Sequence, residues 1–155
     1  MAITLSILAL LATFYQLYLQ RIHNEKSVKP LIQINLTDQN GLIYVHVQNN
    51  GLGPVIIEKL VFTKDGQEHY DIKEWLTLDS RQYQHVTING SVKKVVPHGT
   101  FMEVFSKQFE SNAAASEMDD IRRQLAMLKL EVVGRDIYDH KISVKRDLQW
   151  FARHH

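Results

Sequence analysis

Eight histidines, a cluster of acids and one Gly-x-Gly are the residues of this chain that could do chemistry. The histidines stand at His23, His46, His69, His85, His98, His140, His154 and His155. A helical zinc site needs two imidazoles one turn apart, as in H-E-x-x-H, and no such spacing occurs. His154-His155 could bind a metal only as part of a terminal tail, where chains are usually poorly ordered. Glu117, Asp119 and Asp120 are close enough for acid–base or metal work. Acids in a first helical turn, however, serve first as capping and dipole partners. Asn50-Gly51-Leu52-Gly53 lacks the third glycine, the following helix and the lysine of a phosphate loop, so it reads as a turn. Ser80, Ser91, Ser106, Ser111 and Ser143 have no G-x-S-x-G frame. Zero cysteines exclude disulfides, thiolate ligands and thiol nucleophiles. No catalytic, cofactor or metal residue is assigned, and the expectation is a non-enzymatic protein with no small-molecule substrate. A net charge of +1 is too balanced for a nucleic-acid footprint.

The opening segment carries the clearest physical meaning. Residues 2–19 hold no charged side chain, and Arg21, His23, Lys26 and Lys29 follow at once. The apolar residues Ile3, Leu5, Ile7, Leu8, Leu10, Leu11, Phe14, Leu17 and Leu19 favour insertion into a bilayer by about 3–5 kcal/mol in sum. As a helix the run spans roughly 27 Å, the short end of what crosses the ~30 Å hydrocarbon core. Tyr15 and Tyr18 lie near its end, where aromatic rings favour the interface. A cleaved signal peptide would need a basic leading region and small residues at a cleavage site. Tyr-Gln-Leu-Tyr-Leu-Gln-Arg is no such site, so a retained anchor over residues 1–20 is expected. A buried core helix of a soluble protein would carry a charged face, and this segment has none. Arg21, Lys26 and Lys29 are the expected membrane-surface residues, and basic residues stay on the cytoplasmic side. The reading is an inner-membrane, single-pass protein with its N-terminus out and its body in the cytoplasm. The tripeptides Asn35-Leu36-Thr37 and Asn89-Gly90-Ser91 would be glycosylation acceptors only on the other side of a eukaryotic membrane, and such tripeptides are common by chance.

Small and polar residues fall at Ala2, Ser6, Ala9, Thr13, Gln16 and Gln20, in steps of 4, 3, 4, 3 and 4. That is heptad seam spacing. It makes one stripe on an oily helix, where small residues let membrane helices approach and amides bond across the contact. The stripe is expected to be a packing face for a second copy or a partner's helix.

Residues 21–29 read as a basic stalk that continues the helix, ended by Pro30. Residues 30–155 are the right size for one domain. Their pattern is mostly period two, the mark of half-buried strands. Ile32, Ile34 and Leu36 form a first strand, residues 38–41 a turn, and Ile43, Val45 and Val47 a second strand. Residues 49–54 break the chain sharply. A third strand spans 55–63, and Lys64-Asp65-Gly66 is a hairpin signal with 68–72 as a short partner. Residues 72–78 fit a short helix with Trp75 and Leu76 inward. Residues 84–88 and 92–96 fit a hairpin around Asn89-Gly90, and 101–105 another strand. Ser116 fits an N-cap answered by Asp119, starting a helix over 117–126 with Met118, Ile121 and Leu125 on its apolar stripe. The Asn112-Ala113-Ala114-Ala115 stretch fits a flexible approach to it. The last hairpin pairs 128–133 with 141–145, and residues 148–152 fit a short helix or an exposed aromatic patch.

Many short strands with turns between them imply a β-sandwich. Val45-His46-Val47-Gln48-Asn49-Asn50-Gly51 resembles the V-x-V-x-N-x-G strand end of immunoglobulin-like bacterial adhesion-type domains. With Leu52-Gly53-Pro54-Val55-Ile56-Ile57, Arg21-Ile22-His23-Asn24 and Val28-Lys29-Pro30, residues 1–65 and the final hairpin resemble a group of short bacterial and prophage proteins. Those have one N-terminal membrane helix and a small β-rich domain, and the resemblance carries over architecture and no site. The expected fold is mainly β: a transmembrane helix, then an immunoglobulin-like sandwich with one or two short helices. The expected role is a membrane-anchored binding or assembly module that recruits a protein partner or oligomerises through its helix. Asn49, Asn50, Gly51, Gly53, Pro54, Trp150 and Phe151 are the expected partner contacts. The alternatives are a membrane-active effector whose helices bundle, as in phage defence or toxins, and a hydrolase, for which no motif speaks.

Overall fold

The computed structural model describes residues 2–110 and 113–154; Met1, Ser111, Asn112 and His155 lie outside the described residues. Helix α1, Ala2–Ser27, continues through the basic stalk. It closes on hydrogen bonds from Ser27 Oγ (2.9 Å) and Val28 N (3.3 Å) to Asn24 O, ahead of Pro30. Not one of its residues is buried. It is long and apolar enough to cross a membrane.

The body is two antiparallel sheets. The strands are β1 (Ile32–Gln39), β2 (Leu42–Asn49), β3 (Val55–Lys64), β4 (Gln67–His69), β5 (Gln84–His85), β6 (Lys94–Val96), β7 (Phe101–Gln108), β8 (Lys129–Arg135) and β9 (Lys141–Asp147). One sheet runs β1-β2-β7-β5 and the other β4-β3-β8-β9, with β6 on β3 as well. In immunoglobulin lettering these are A-B-E-D against C′-C-F-G. Two of the hairpins close as the residues dictate. Asn40 and Gly41, and Asp65 and Gly66, all have positive φ, which a type I′ turn requires at both positions. Period-two burial follows: Ile43, Val45, Val47 and Asn49 point inward from β2, and Leu130 and Val132 from β8. Phe62, Phe105 and Phe151 are among the largest fully buried side chains.

Three expectations are corrected. Residues 84–88 and 92–96 are not a hairpin: β5 joins β7 in the first sheet, and β6 joins β3 in the second. Neither Asn89 nor Gly90 takes the positive φ that a tight hairpin needs. Burial of Tyr83 and Ile88 instead leads the segment from one sheet to the other. Helix α2 spans Ala115–Ala126, and its N-cap is Ala114, without a side-chain bond. Its first turn is tied instead by Lys107 Nζ to Glu117 at 2.8 Å. The short helix expected over 72–78 shrinks to a 3₁₀ turn, Ile72–Glu74, capped by the Asp71 carboxylate.

Helix α2 crosses from β7 to β8 and buries Ile121 and Leu125. Arg122 grips the Asp38 carboxylate with two bonds of 2.6 and 2.7 Å and also meets Asp119 at 2.8 Å. The chain ends in a 3₁₀ helix, Leu148–His154, which buries Leu148 and Phe151.

Candidate functional site

The sandwich has two ends, and strand direction assigns residues to each. Strand β1 starts where α1 leaves off, so the β2–β3, β6–β7 and β8–β9 connections gather at the helix end. The β1–β2 and β3–β4 turns, α2 and the terminal 3₁₀ helix lie at the far end.

On α1 the stripe is continuous and exposed at Ala2, Ser6, Ala9, Thr13, Gln16 and Gln20. Ser6 Oγ and Thr13 Oγ1 each donate to the carbonyl four residues back, at 2.9 Å. Both hydroxyls are therefore satisfied within the helix. In the collar, Arg21 pairs with Glu25 at 3.0 Å. Lys26 and Lys29 make no ion pair among the described residues.

The loop over residues 49–54 meets this chain's own stalk. Asn49 is fully buried and uses its side-chain amide four times. Its Oδ1 accepts from Leu31 N (3.2 Å) and Gly51 N (3.0 Å). Its Nδ2 donates to Gly53 O (2.7 Å) and Val96 O (3.1 Å). Asn50 N donates to Leu31 O at 2.8 Å. Gly51 and Gly53 are glycine because the stalk lies on them. A Cβ at Gly51 would fall 2.2 Å from Leu31 N, and one at Gly53 would fall 1.8 Å from Val28 O. His98 Nδ1 meets Gly51 O at 2.7 Å and closes the loop from the other side. Asn49 and Gly53 are interior residues, so neither reaches a partner from the surface. Asn50 stays exposed, Gly51 and Pro54 are half-exposed, and Leu52 projects outward.

The residues weighed for chemistry are drawn into structural pairs. Glu117 holds Lys107, Asp119 holds Arg122, and Asp120 holds Arg123. His46 is stacked between Tyr44 and Phe101, with ring centroids 3.8 and 4.4 Å away. Burial pulls its pKa below the ordinary value against the pull of Glu103. His140 Nδ1 meets the Asp136 carboxylate at 3.0 Å. Burial works to raise the Asp136 pKa. Bonds from the His140 N–H and imidazole and the Tyr138 N–H outweigh it and hold the carboxyl low. Among the described residues, no three histidines or acids come together in a metal-holding group.

At the far end Trp150 and Phe151 part company. Their rings meet edge-on at 5.2 Å, but Phe151 is fully buried and serves the core. Trp150 is half-buried and lines a concavity of about 610 Å³ with Arg146, Asp147, Gln149 and Ala152. The concavity is built stiffly. Arg146 donates to Ile34 O at 2.5 Å, and Asp147 accepts from Gln149 N at 2.8 Å.

No family model and no curated protein matches the chain. Sequence reading missed Arg146, Gln149 and Ala152 because their shared surface forms only when β9 turns into the 3₁₀ helix. It also missed Tyr138, which lines a concavity of about 270 Å³ with Leu17, Gln20, Arg21, Asn24 and Glu25 of α1. A lone aromatic in a hairpin loop gives no signal of a helix folded beside it.

Proposed function

We propose that the chain is a single-pass, membrane-anchored recognition module without chemistry of its own. It holds a β-sandwich against the cytoplasmic face and presents the far end to a protein partner. The observation that carries this reading is α1, whose uncharged run over residues 2–19 is exposed throughout. Such a helix needs cover, and a bilayer supplies it at the required length. Lys26 and Lys29, without an ion pair among the described residues, support an inner-leaflet position, where each basic residue near anionic lipid contributes about 1 kcal/mol. The Asn49 junction supports a body held in one orientation, so that the Trp150 concavity faces away from the membrane. Its mix of an aromatic ring, a guanidinium, a carboxylate and an amide suits a peptide segment with both apolar and charged anchors.

The test uses the full chain in its native membrane, with a photo-crosslinking residue in place of Gln149. One discrete adduct is expected, abolished by Trp150→Ala and retained when residues 1–20 are removed. Loss of the adduct on removing residues 1–20, with Trp150→Ala unaffected, would place recognition on the helix and overturn the far-end reading. Protease access to the body in sealed inside-out vesicles checks the topology; protection of the body there would reverse it.

A further inference from the structure

The β8–β9 hairpin stands beside α1 at the level where the helix stops being apolar. Tyr138 lines a shared concavity with Leu17, Gln20, Arg21, Asn24 and Glu25. Leu17 and Leu19 end the uncharged run and Arg21 opens the basic collar, so this level is the edge of the hydrocarbon. The rest of the body begins at Ile32, and residues 21–27 of the helix hold it about 10 Å further out. The hairpin bridges that gap.

Its tip is apolar and rigid. Ile137 is 52% and Tyr138 41% exposed, while the turn beneath them is fixed by bonds. The Asp136 carboxylate accepts from Tyr138 N (2.9 Å), His140 N (2.9 Å) and the His140 imidazole (3.0 Å). Asp139, at φ 69°, is held by Arg135 at 2.8 Å, and Arg135 by Glu58 at 3.1 Å. The turn therefore presents two apolar side chains at a set height. Tyrosine favours the bilayer interface, with its ring among acyl ends and its hydroxyl in water. Tyr15 and Tyr18 of α1 lie at the same end of the apolar run, so Tyr138 extends their aromatic belt sideways.

We propose that the tip formed by Ile137 and Tyr138 is a second membrane contact, seated in the headgroup layer of the bilayer that α1 crosses. This rests on the membrane reading of α1. The body is then held at two points, the helix and the hairpin tip, and cannot tilt freely about the stalk.

The chain has no cysteine, so single cysteines can carry an environment-sensitive nitrobenzoxadiazole dye. Ile137→Cys, Leu11→Cys and Gln67→Cys are each labelled in the full chain. Each is reconstituted in phosphatidylcholine–phosphatidylglycerol vesicles with nitroxide quenchers at the headgroup or deep in the acyl chain. The dye at 137 is expected to shift to the blue and to lose most of its emission to the shallow quencher. That loss should not change with the protein-to-lipid ratio. The dye at 67, at the far end, should be quenched by neither. An unshifted dye at 137 overturns the proposal. So does a blue shift that lipid quenchers do not touch and that grows with protein density, since a second copy then covers the tip. The dye at 11 separates the two readings. If the deep quencher reaches it while 137 stays dark to lipid, the second contact fails alone; if it does not, the membrane reading of α1 fails.

Discussion

Asn49→Ala is expected to be the most damaging single truncation of a polar side chain in the body. The amide makes four hydrogen bonds to main-chain groups of Leu31, just before β1, of its own loop and of β6. With the side chain fully buried, water does not replace them. At about 1 kcal/mol net for each bond, the loss is about 4 kcal/mol, a large share of the 5–15 kcal/mol typical of a whole domain. For a body of this size that lowers the unfolding midpoint by roughly 12–16 °C. Thermal unfolding of the detergent-solubilised full chain, followed by circular dichroism, measures it. Asn49→Asp separates bonding from shape. It keeps both acceptor bonds but turns a second oxygen toward the Gly53 and Val96 carbonyls. It should therefore be at least as destabilising at neutral pH and recover in part on acidification, when the protonated oxygen can donate. Because Leu31 is one of the bonded groups, tryptic cleavage at Lys26 should speed up in both variants. A midpoint shift below about 4 °C for the alanine variant, with cleavage unchanged, would refute the assignment of Asn49 as the junction.

Gly53→Ala puts a methyl group 1.8 Å from Val28 O; the stalk must move, and spin-label distances between α1 and the body should broaden while the core melts almost normally. Arg122→Ala strips the 4%-exposed Asp38 side chain of its partner and should cost about 3 kcal/mol in urea unfolding. Asp38→Ala should cost less, because Arg122 keeps Asp119. For His46, burial holds the folded pKa below 6.5. The unfolded chain thus takes up the proton first, and the stability His46 contributes is present above pH 6.5 and lost as pH falls through the folded value. His46→Gln should remove that early part of the acid slope and leave the later part. The later part belongs to carboxyls such as Asp136, held below 3.8, whose contribution goes only as pH falls through that lower range.

Much of the sandwich is legible because two signals are local. Alternation in β1, β2 and β3 sets which side faces in, and Asn40-Gly41 and Asp65-Gly66 are residue pairs that tolerate positive φ. The opening helix is legible for the same reason, as an uncharged run with a charged end. What is not legible depends on distant partners. Asn89-Gly90 has the composition of a hairpin turn, but Tyr83 packs on Phe105 of one sheet while Ile88 O accepts from Leu60 N of the other, and the strands go to different sheets. Asn49 looks like one more turn residue, and only the stalk lying over Gly51 and Gly53 makes it a junction. Phe151 follows Trp150 directly, and the 3₁₀ backbone alone decides which of the two faces the core.

Helix α1 reaches Ser27 unbroken, and only residues 28–31 separate it from β1. The helix and the sandwich are thereby joined in phase. One residue inserted between Arg21 and Ser27 advances the helix by about 1.5 Å and turns everything beyond it by about 100°. It would swing the β8–β9 hairpin off the face of α1 that carries Leu17, Gln20 and Asn24. Seven inserted residues, close to two full turns, would restore the facing and lift the body by about 10 Å. The stalk's length in this chain is therefore an angular setting as much as a distance.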